Sequence, residues 1–200
     1  MHNQWLEFIN KSVPAAKAVF NKAEVGDSSI IVDKQSIKKV CEALKESKEH
    51  DFNVLQVITG TDYLPVEGKA GYIELSYILA SFTKNTELIL KTQVERGTEQ
   101  RLSKIDSVAS VWRAADWQER EIYDLLGVDF VGHPDQRRIL CPYDWTGHPL
   151  RKDYVVQEKY LDMTVNPINK MNFPDREFAD KQKAAEKAAK GGGDAATEEA

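Results

Sequence analysis

No run in this 200-residue chain approaches the roughly eighteen consecutive apolar residues that a membrane-spanning helix needs. The amino-terminal stretch MHNQWLEFINKSVP also lacks the apolar centre of a secretory signal. The expectation is a cytosolic chain, or one peripheral to a membrane with no direct membrane span. Cysteine is scarce: Cys41 and Cys141 each lack the second cysteine at short spacing that zinc or iron–sulfur ligation uses. That argues against a metal cluster held by this chain and leaves two reduced thiols, Cys41 on the buried side of a helix. A glycine-rich loop between strand and helix is missing too, since GKAG and GGG have the wrong flanks for a phosphate or dinucleotide cradle. No serine or cysteine sits in a nucleophile elbow. Positive charge is not in excess: the net charge is −5, with Lys and Glu interleaved, which argues against nucleic acid as a partner.

What is there suffices for one domain of ordinary size with appendages, at 42% hydrophobic content. Gln4 to Ile9 and Ala15 to Asn21 read as two short helical pieces divided by Pro14. Ser29 to Val32 reads as a brief strand, followed by a helix over Ile37, Val40, Cys41 and Leu44 that Asp33 or Ser36 caps. Asn53 to Ile58 reads as an inner strand and Gly60 to Gly71 as a loop. Tyr72 to Leu79 and Glu87 to Val94 alternate, with Ile73, Leu75, Tyr77 and Leu79 on one face and Leu88, Leu90, Thr92 and Val94 on the other strand's equivalent. A hairpin between them is expected. Gly97 to Lys104 reads as a polar connector and Ser107 to Ala114 as a short helix.

The stretch from Ala115 to Asp153 is the most informative. Asp116 with Glu119 three residues on fits a capping box, Trp117 to Leu126 fits a helix in which Arg120 reaches Asp124, and Gly127 fits a left-handed end. Beyond it the period stops. Five of the seven prolines fall between Pro134 and Pro174, yet aromatic and basic residues continue, so an ordered extended arm is expected. After it, Asp175 to Lys190 reads as a helix and the end as a disordered tail. The expected division is residues 1–127 as an α+β domain, 128–175 as the arm and 176–200 as the Ala/Lys/Glu helix and tail. The fold class is α+β: a small mixed or antiparallel sheet of about four or five strands with helices on one face.

Three chemistries compete for the stretch. A metal site would draw on His133, Asp135, Cys141, Asp144 and His148, but short metal motifs set their ligands on rigid elements and here Pro134, Pro142 and Pro149 break the nearest pairs. The plainer reading is that His133 and His148 hydrogen-bond backbone groups at turns. Acid–base work by Glu119, Glu121 and Asp124 with His133 meets the helical period, which turns Glu119 and Glu121 to nearly opposite sides. Recognition fits best, since Phe130, Tyr143, Trp145 and Tyr154 alternate with Arg137, Arg138 and Arg151 as interface anchors do.

Trp117-x-Glu119-Arg120-Glu121-x-Tyr123-Asp124-x-x-Gly127-Val128, then Gly132-His133-Pro134-Asp135-x-Arg137-Arg138-Ile139-Leu140, then Pro149-Leu150-Arg151-Lys152-Asp153-Tyr154 closely resemble the thirty-kilodalton subunit, or C subunit, of respiratory NADH:quinone oxidoreductase (complex I). Gln136 stands where that family more often has Leu, and Val155 where it tends to have Pro. A weaker likeness extends back through Thr61-Asp62-Tyr63 to about Val54. The resemblance implies a non-redox subunit of the peripheral arm, on the cytoplasmic face of a bacterial inner membrane or the matrix face in mitochondria. It implies no cofactor bound by this chain, with NADH, flavin, iron–sulfur clusters and quinone in the rest of the complex. It implies packing against the hydrogenase-like D subunit, which helps form the quinone site, and against neighbouring peripheral-arm subunits. The interface residues it implies are Trp117, Glu119, Arg120, Glu121, Tyr123, Asp124, His133, Asp135, Arg137, Arg138, Tyr143, Trp145, Pro149, Arg151, Lys152, Asp153 and Tyr154. An equivalent subunit of a membrane-bound hydrogenase or other-donor dehydrogenase, or a free-standing enzyme using the Glu119 to His148 cluster, stays open.

Overall fold

The computed structural model describes residues 2–24, 26–98 and 101–165. Two compact units divide the chain at Tyr154/Val155. The first begins with α1 (His2–Ser12), which buries Trp5 and Ile9. Pro14–Ala16 forms one 3₁₀ turn, and Lys17 ends it in the left-handed region at φ 45°. That turn is why the helical reading of Ala15 to Asn21 fails: the chain reverses and enters β1 (Val19–Asn21). The Asn10 carboxamide fixes the exit by accepting from the Ala18 N–H at 2.9 Å and donating to its carbonyl at 3.1 Å.

β2 (Ser29–Ile31) and α2 (Ile37–Glu46) follow as expected, with Ile37, Val40, Cys41 and Leu44 facing inward. The Ser36 side chain does not cap α2; Asp33 instead accepts the Gln35 N–H and closes the preceding turn. β4 (Tyr72–Ser81) and β5 (Thr86–Glu95) form the expected antiparallel hairpin, paired from Tyr72↔Glu95 to Ser81↔Thr86. Ile73, Leu75, Tyr77, Leu79, Leu88, Leu90, Thr92 and Val94 are all buried on one face.

β3 (Val54–Tyr63) is longer than read, running through what the sequence suggested was loop. It is also an edge strand and not an inner one: the five-stranded mixed sheet has the order β1-β2-β5-β4-β3, with β2 and β5 parallel. Its apolar content has another cause. α3 (Ala115–Leu126) packs beside it, and a side chain at Gly60 would lie 2.4 Å from Leu126 Cδ1. A register shift between Leu55 and Val57 turns Gln56 out of the ladder. There the Gln118 carboxamide accepts from the Ile58 N–H at 2.7 Å and donates to the Gln56 carbonyl at 3.2 Å, as a neighbouring strand would.

Ile37, Val40, Cys41 and Leu44 of α2 and Ile122 and Leu126 of α3 share one buried cluster with the inner face of the hairpin, so helices cover one side of the sheet. Each fully buried Leu or Ile there stabilises the fold by roughly 1.5–3 kcal/mol. A second, parallel pair joins β6 (Ser103–Asp106) to β7 (Val128–Val131), the first beginning at the end of the predicted connector and running past it, the second inside the predicted arm. Ser107 to Ala114 is not a helix. It runs through turns in which the Val108 carbonyl accepts from the Val111 and Trp112 N–H groups. The second unit, described to Val165, contains the short hairpin of β8 (Lys159–Tyr160) and β9 (Met163–Thr164), turned by Leu161 and Asp162 at positive φ. The predicted Asp175–Lys190 helix, the tail and the last ten residues of the predicted arm lie outside the described residues.

Candidate partner interface

α3 carries the first block of the signature and buries more polar groups than an amphipathic surface helix does. Glu119, Arg120 and Asp124 are buried with Ile122 and Leu126. The expected capping box is absent, because Glu119 faces inward. Its carboxylate accepts from Ser107 Oγ at 2.6 Å and from the Val108 N–H at 2.7 Å, holding the turn that precedes the helix. Burial pushes the Glu119 carboxyl up to about 7, against those two hydrogen bonds. Tyr77 lies close enough to feel that charge, and burial raises its phenol well above the ordinary range.

Asp124 is the hub. Its Oδ2 accepts three successive backbone N–H groups, from Ile139 (3.1 Å), Leu140 (2.7 Å) and Cys141 (2.8 Å). Its Oδ1 lies 3.2 Å from Arg138 Nε. The expected Arg120–Asp124 contact is therefore replaced by a longer-range one, and Arg120 donates to the Arg137 carbonyl while lying over the Trp117 ring at 4.9 Å. Burial works to raise the Asp124 carboxyl, but the three N–H groups and Arg138 outweigh it and hold the group below the usual carboxylate range. Arg138 also donates to the carbonyls of Trp145 and Gly147.

Gly127 ends α3 at φ 70° as expected, its N–H returning to the Tyr123 carbonyl. His148 Nδ1 sits 2.8 Å from the Asp124 carbonyl, and Arg151 donates to the carbonyls of Leu126, Gly127 and Gly97. A cation at the negative end of a helix is favourable, and this one also satisfies the carbonyls that no turn of helix follows. A Cβ at Gly127 would lie 2.5 Å from the His148 ring and 2.7 Å from Arg151. His133 likewise bonds backbone: the Asp135 N–H donates to Nδ1 at 3.0 Å, so Nε2 carries the proton and donates to the Asp116 carbonyl at 3.0 Å. Both histidines meet the plainer expectation.

The remaining signature residues divide between frame and surface. Asp135 and Arg137 pair bidentately at 2.7 and 2.6 Å, exposed to solvent. Tyr123, Pro149 and Trp145 are half-buried, the indole N–H donating to Tyr154 Oη at 3.0 Å. Lys152 and Asp153 reach across to Asp62 and Arg96: the Lys152 N–H donates to Asp62 Oδ2 at 2.8 Å, and Arg96 binds both carboxylates. Trp117, Glu121 and Tyr143 face solvent. Sequence reasoning missed Asp62, Arg96, Ser107 and Gln118. Asp62 carried a signal, since an acidic residue on the inward phase of β3, after Ile58 and Gly60, needs a buried partner. Among the described residues, no group of three or more His, Cys, Asp or Glu side chains is placed to hold a metal ion.

Residues 30–160 match the family described as the respiratory-chain NADH dehydrogenase, 30 Kd subunit. The chain belongs to that family. The matched span takes in β2 to β8 and all three blocks of the signature. Among family relatives, the C subunit of NADH-quinone oxidoreductase from Geotalea uraniireducens is 42% identical over 132 residues, covering 66% of this chain and 75% of that one. Its counterpart in Roseiflexus sp. is 36% identical over 162 residues, covering 80% and 88%. Among solved structures, a chain of the membrane-bound sulfane sulfur reductase, an archaeal respiratory membrane complex, superposes with a TM-score of 0.62 at 24% identity, over 86% of this chain and 99% of that one. That likeness concerns the fold alone.

Proposed function

We propose that the chain is a structural subunit of the peripheral arm of NADH:quinone oxidoreductase, that it carries no electron itself, and that its signature segment packs against the hydrogenase-like D subunit at the quinone site. The observation that carries this reading is the family match across residues 30–160, with relatives over 35% identical that are named as subunits of that oxidoreductase. The site chemistry supports it. Every buried charged group of the segment is engaged in holding backbone, and Cys41, the deepest thiol, is kept protonated by burial. Electron transfer between fixed centres depends on their geometry, so a rigid neighbour controls turnover without a redox group. NADH, flavin, iron–sulfur clusters and quinone then belong to other subunits, and the chain sits peripherally on the cytoplasmic side of the inner membrane. No helix among the described residues is long and apolar enough to cross it.

The test is affinity purification of the tagged full-length chain from native membranes, with identification of every co-purifying subunit. Recovery of the hydrogenase-like D subunit with NADH-oxidising subunits is expected, and elemental analysis of the chain purified alone should find neither iron nor zinc. The shared fold with the sulfane sulfur reductase chain keeps one other host in view. Co-purification of hydrogenase or sulfur-reducing subunits in place of NADH-oxidising ones would decide for it.

A further inference from the structure

Within residues 138–151 every charged side chain already has a partner within the protein. Arg138 holds Asp124 and two carbonyls, His148 holds the Asp124 carbonyl, Arg151 holds three carbonyls, and Asp144 has a partner of its own. The large apolar side chains that the segment turns outward are Leu140, 62% exposed, Tyr143, 93%, and Leu150, 56%, with Pro142, Asp144 and Thr146 exposed between them. The backbone beneath them is fixed from both sides. Three N–H groups converge on Asp124, the Trp145 N–H closes a turn on the Pro142 carbonyl, and the Leu150 N–H bonds the Leu125 carbonyl. Such a turn has little conformational freedom left to lose when it docks, which is the usual source of affinity in a rigid aromatic anchor.

We propose that Leu140, Tyr143 and Leu150 form an apolar anchor that seats in an uncharged pocket on a neighbouring subunit of the respiratory complex, and that Asp124, Arg138 and Arg151 are positioning residues that do not touch it. This rests on the subunit reading above. Charge and area select the occupant. The anchor presents no unengaged cation to lipid headgroups, and the chain's net charge of −5 disfavours both an anionic membrane and a second copy of itself. One aromatic side chain buries roughly 150–250 Å². Three side chains on one segment therefore fall short of the roughly 800 Å² per partner of a free-standing dimer. They suit the desolvated centre of a larger contact, where a few residues carry most of the binding energy.

The experiment uses the full-length tagged chain in cells producing the rest of the complex, and compares the double variants Leu140→Ser/Tyr143→Ser and Leu140→Met/Tyr143→Phe with the parent. The serine pair should lose at least tenfold in retained subunits while its melting temperature matches the parent. The Met/Phe pair, still apolar, should retain them within about twofold, a difference of under 1 kcal/mol. Undiminished retention by the serine pair overturns the anchor, as does equal loss in both pairs or a collapse of its melting transition. A parent homodimer by light scattering that the serine pair abolishes overturns it in favour of self-association. Binding to phosphatidylglycerol vesicles that the serine pair abolishes overturns it in favour of a lipid surface. A parent chain that retains no oxidoreductase subunit overturns the subunit reading and the anchor together; a parent and serine pair that retain them equally overturn the anchor alone.

Discussion

At the scale of single residues, two buried carboxylates on α3 behave oppositely. Glu119 is held up at about 7 by burial, against an ordinary value of 4.5. The folded state therefore binds more protons than the unfolded state between those values. The Glu119 contribution to stability is fullest below about pH 4.5, declines as pH rises, and costs on the order of 3 kcal/mol above about pH 7. Urea midpoints of the parent should fall from pH 5 to pH 8 relative to Glu119→Gln, which keeps an acceptor for Val108 and has no charge to bury; parallel profiles would refute this. Asp124 is held below the usual range, so its contribution is present above the ordinary carboxylate pKa and lost as pH falls through its lowered value. Asp124→Ala leaves three N–H groups without their acceptor and Arg138 without its carboxylate. We expect a loss of about 3–5 kcal/mol in denaturant titration at pH 7. The two histidines were legible at this scale because a residue before proline in a turn commonly bonds backbone. Asp124 was legible as a signature residue and illegible as a hub, since its partners lie fifteen to seventeen positions downstream.

At the scale of elements, local signals were readable and long-range ones were not. The β4–β5 hairpin showed in its alternation, α2 in its apolar spacing, and the end of α3 in Gly127. The parallel pairings β2–β5 and β6–β7 leave little local trace, because their partners come from distant sequence. β1 was hidden by the helical look of Ala15 to Asn21, which Lys17 at positive φ and Asn10 override. The capping box failed since a Glu three residues after an Asp has the same spacing whether it turns back to the chain or into the core. The end of α3 is the most constrained element boundary. Gly127→Ala combines a left-handed backbone, costing about 1–2 kcal/mol, with close approach to His148 and Arg151. We expect a total loss above 2 kcal/mol by thermal melting, and a shift near zero would show that the Arg151 clamp yields easily.

At the scale of the whole molecule, the first compact unit closes at Tyr154, whose hydroxyl receives the Trp145 indole N–H. A chain ended after Tyr154 keeps every hydrogen bond drawn to Asp124, Arg138 and Arg151 from this unit. It should melt in one cooperative transition; a broad, uncooperative one would show that Met1–Tyr154 does not fold as a unit by itself. The Gln118 amide lying along β3 has a consequence of another kind. A protein made in stoichiometric excess must wait, newly synthesised and unassembled, among identical copies that could add to its sheet and stack. Gln118 occupies one donor and one acceptor of the β3 margin where such growth could begin, and so disfavours it there.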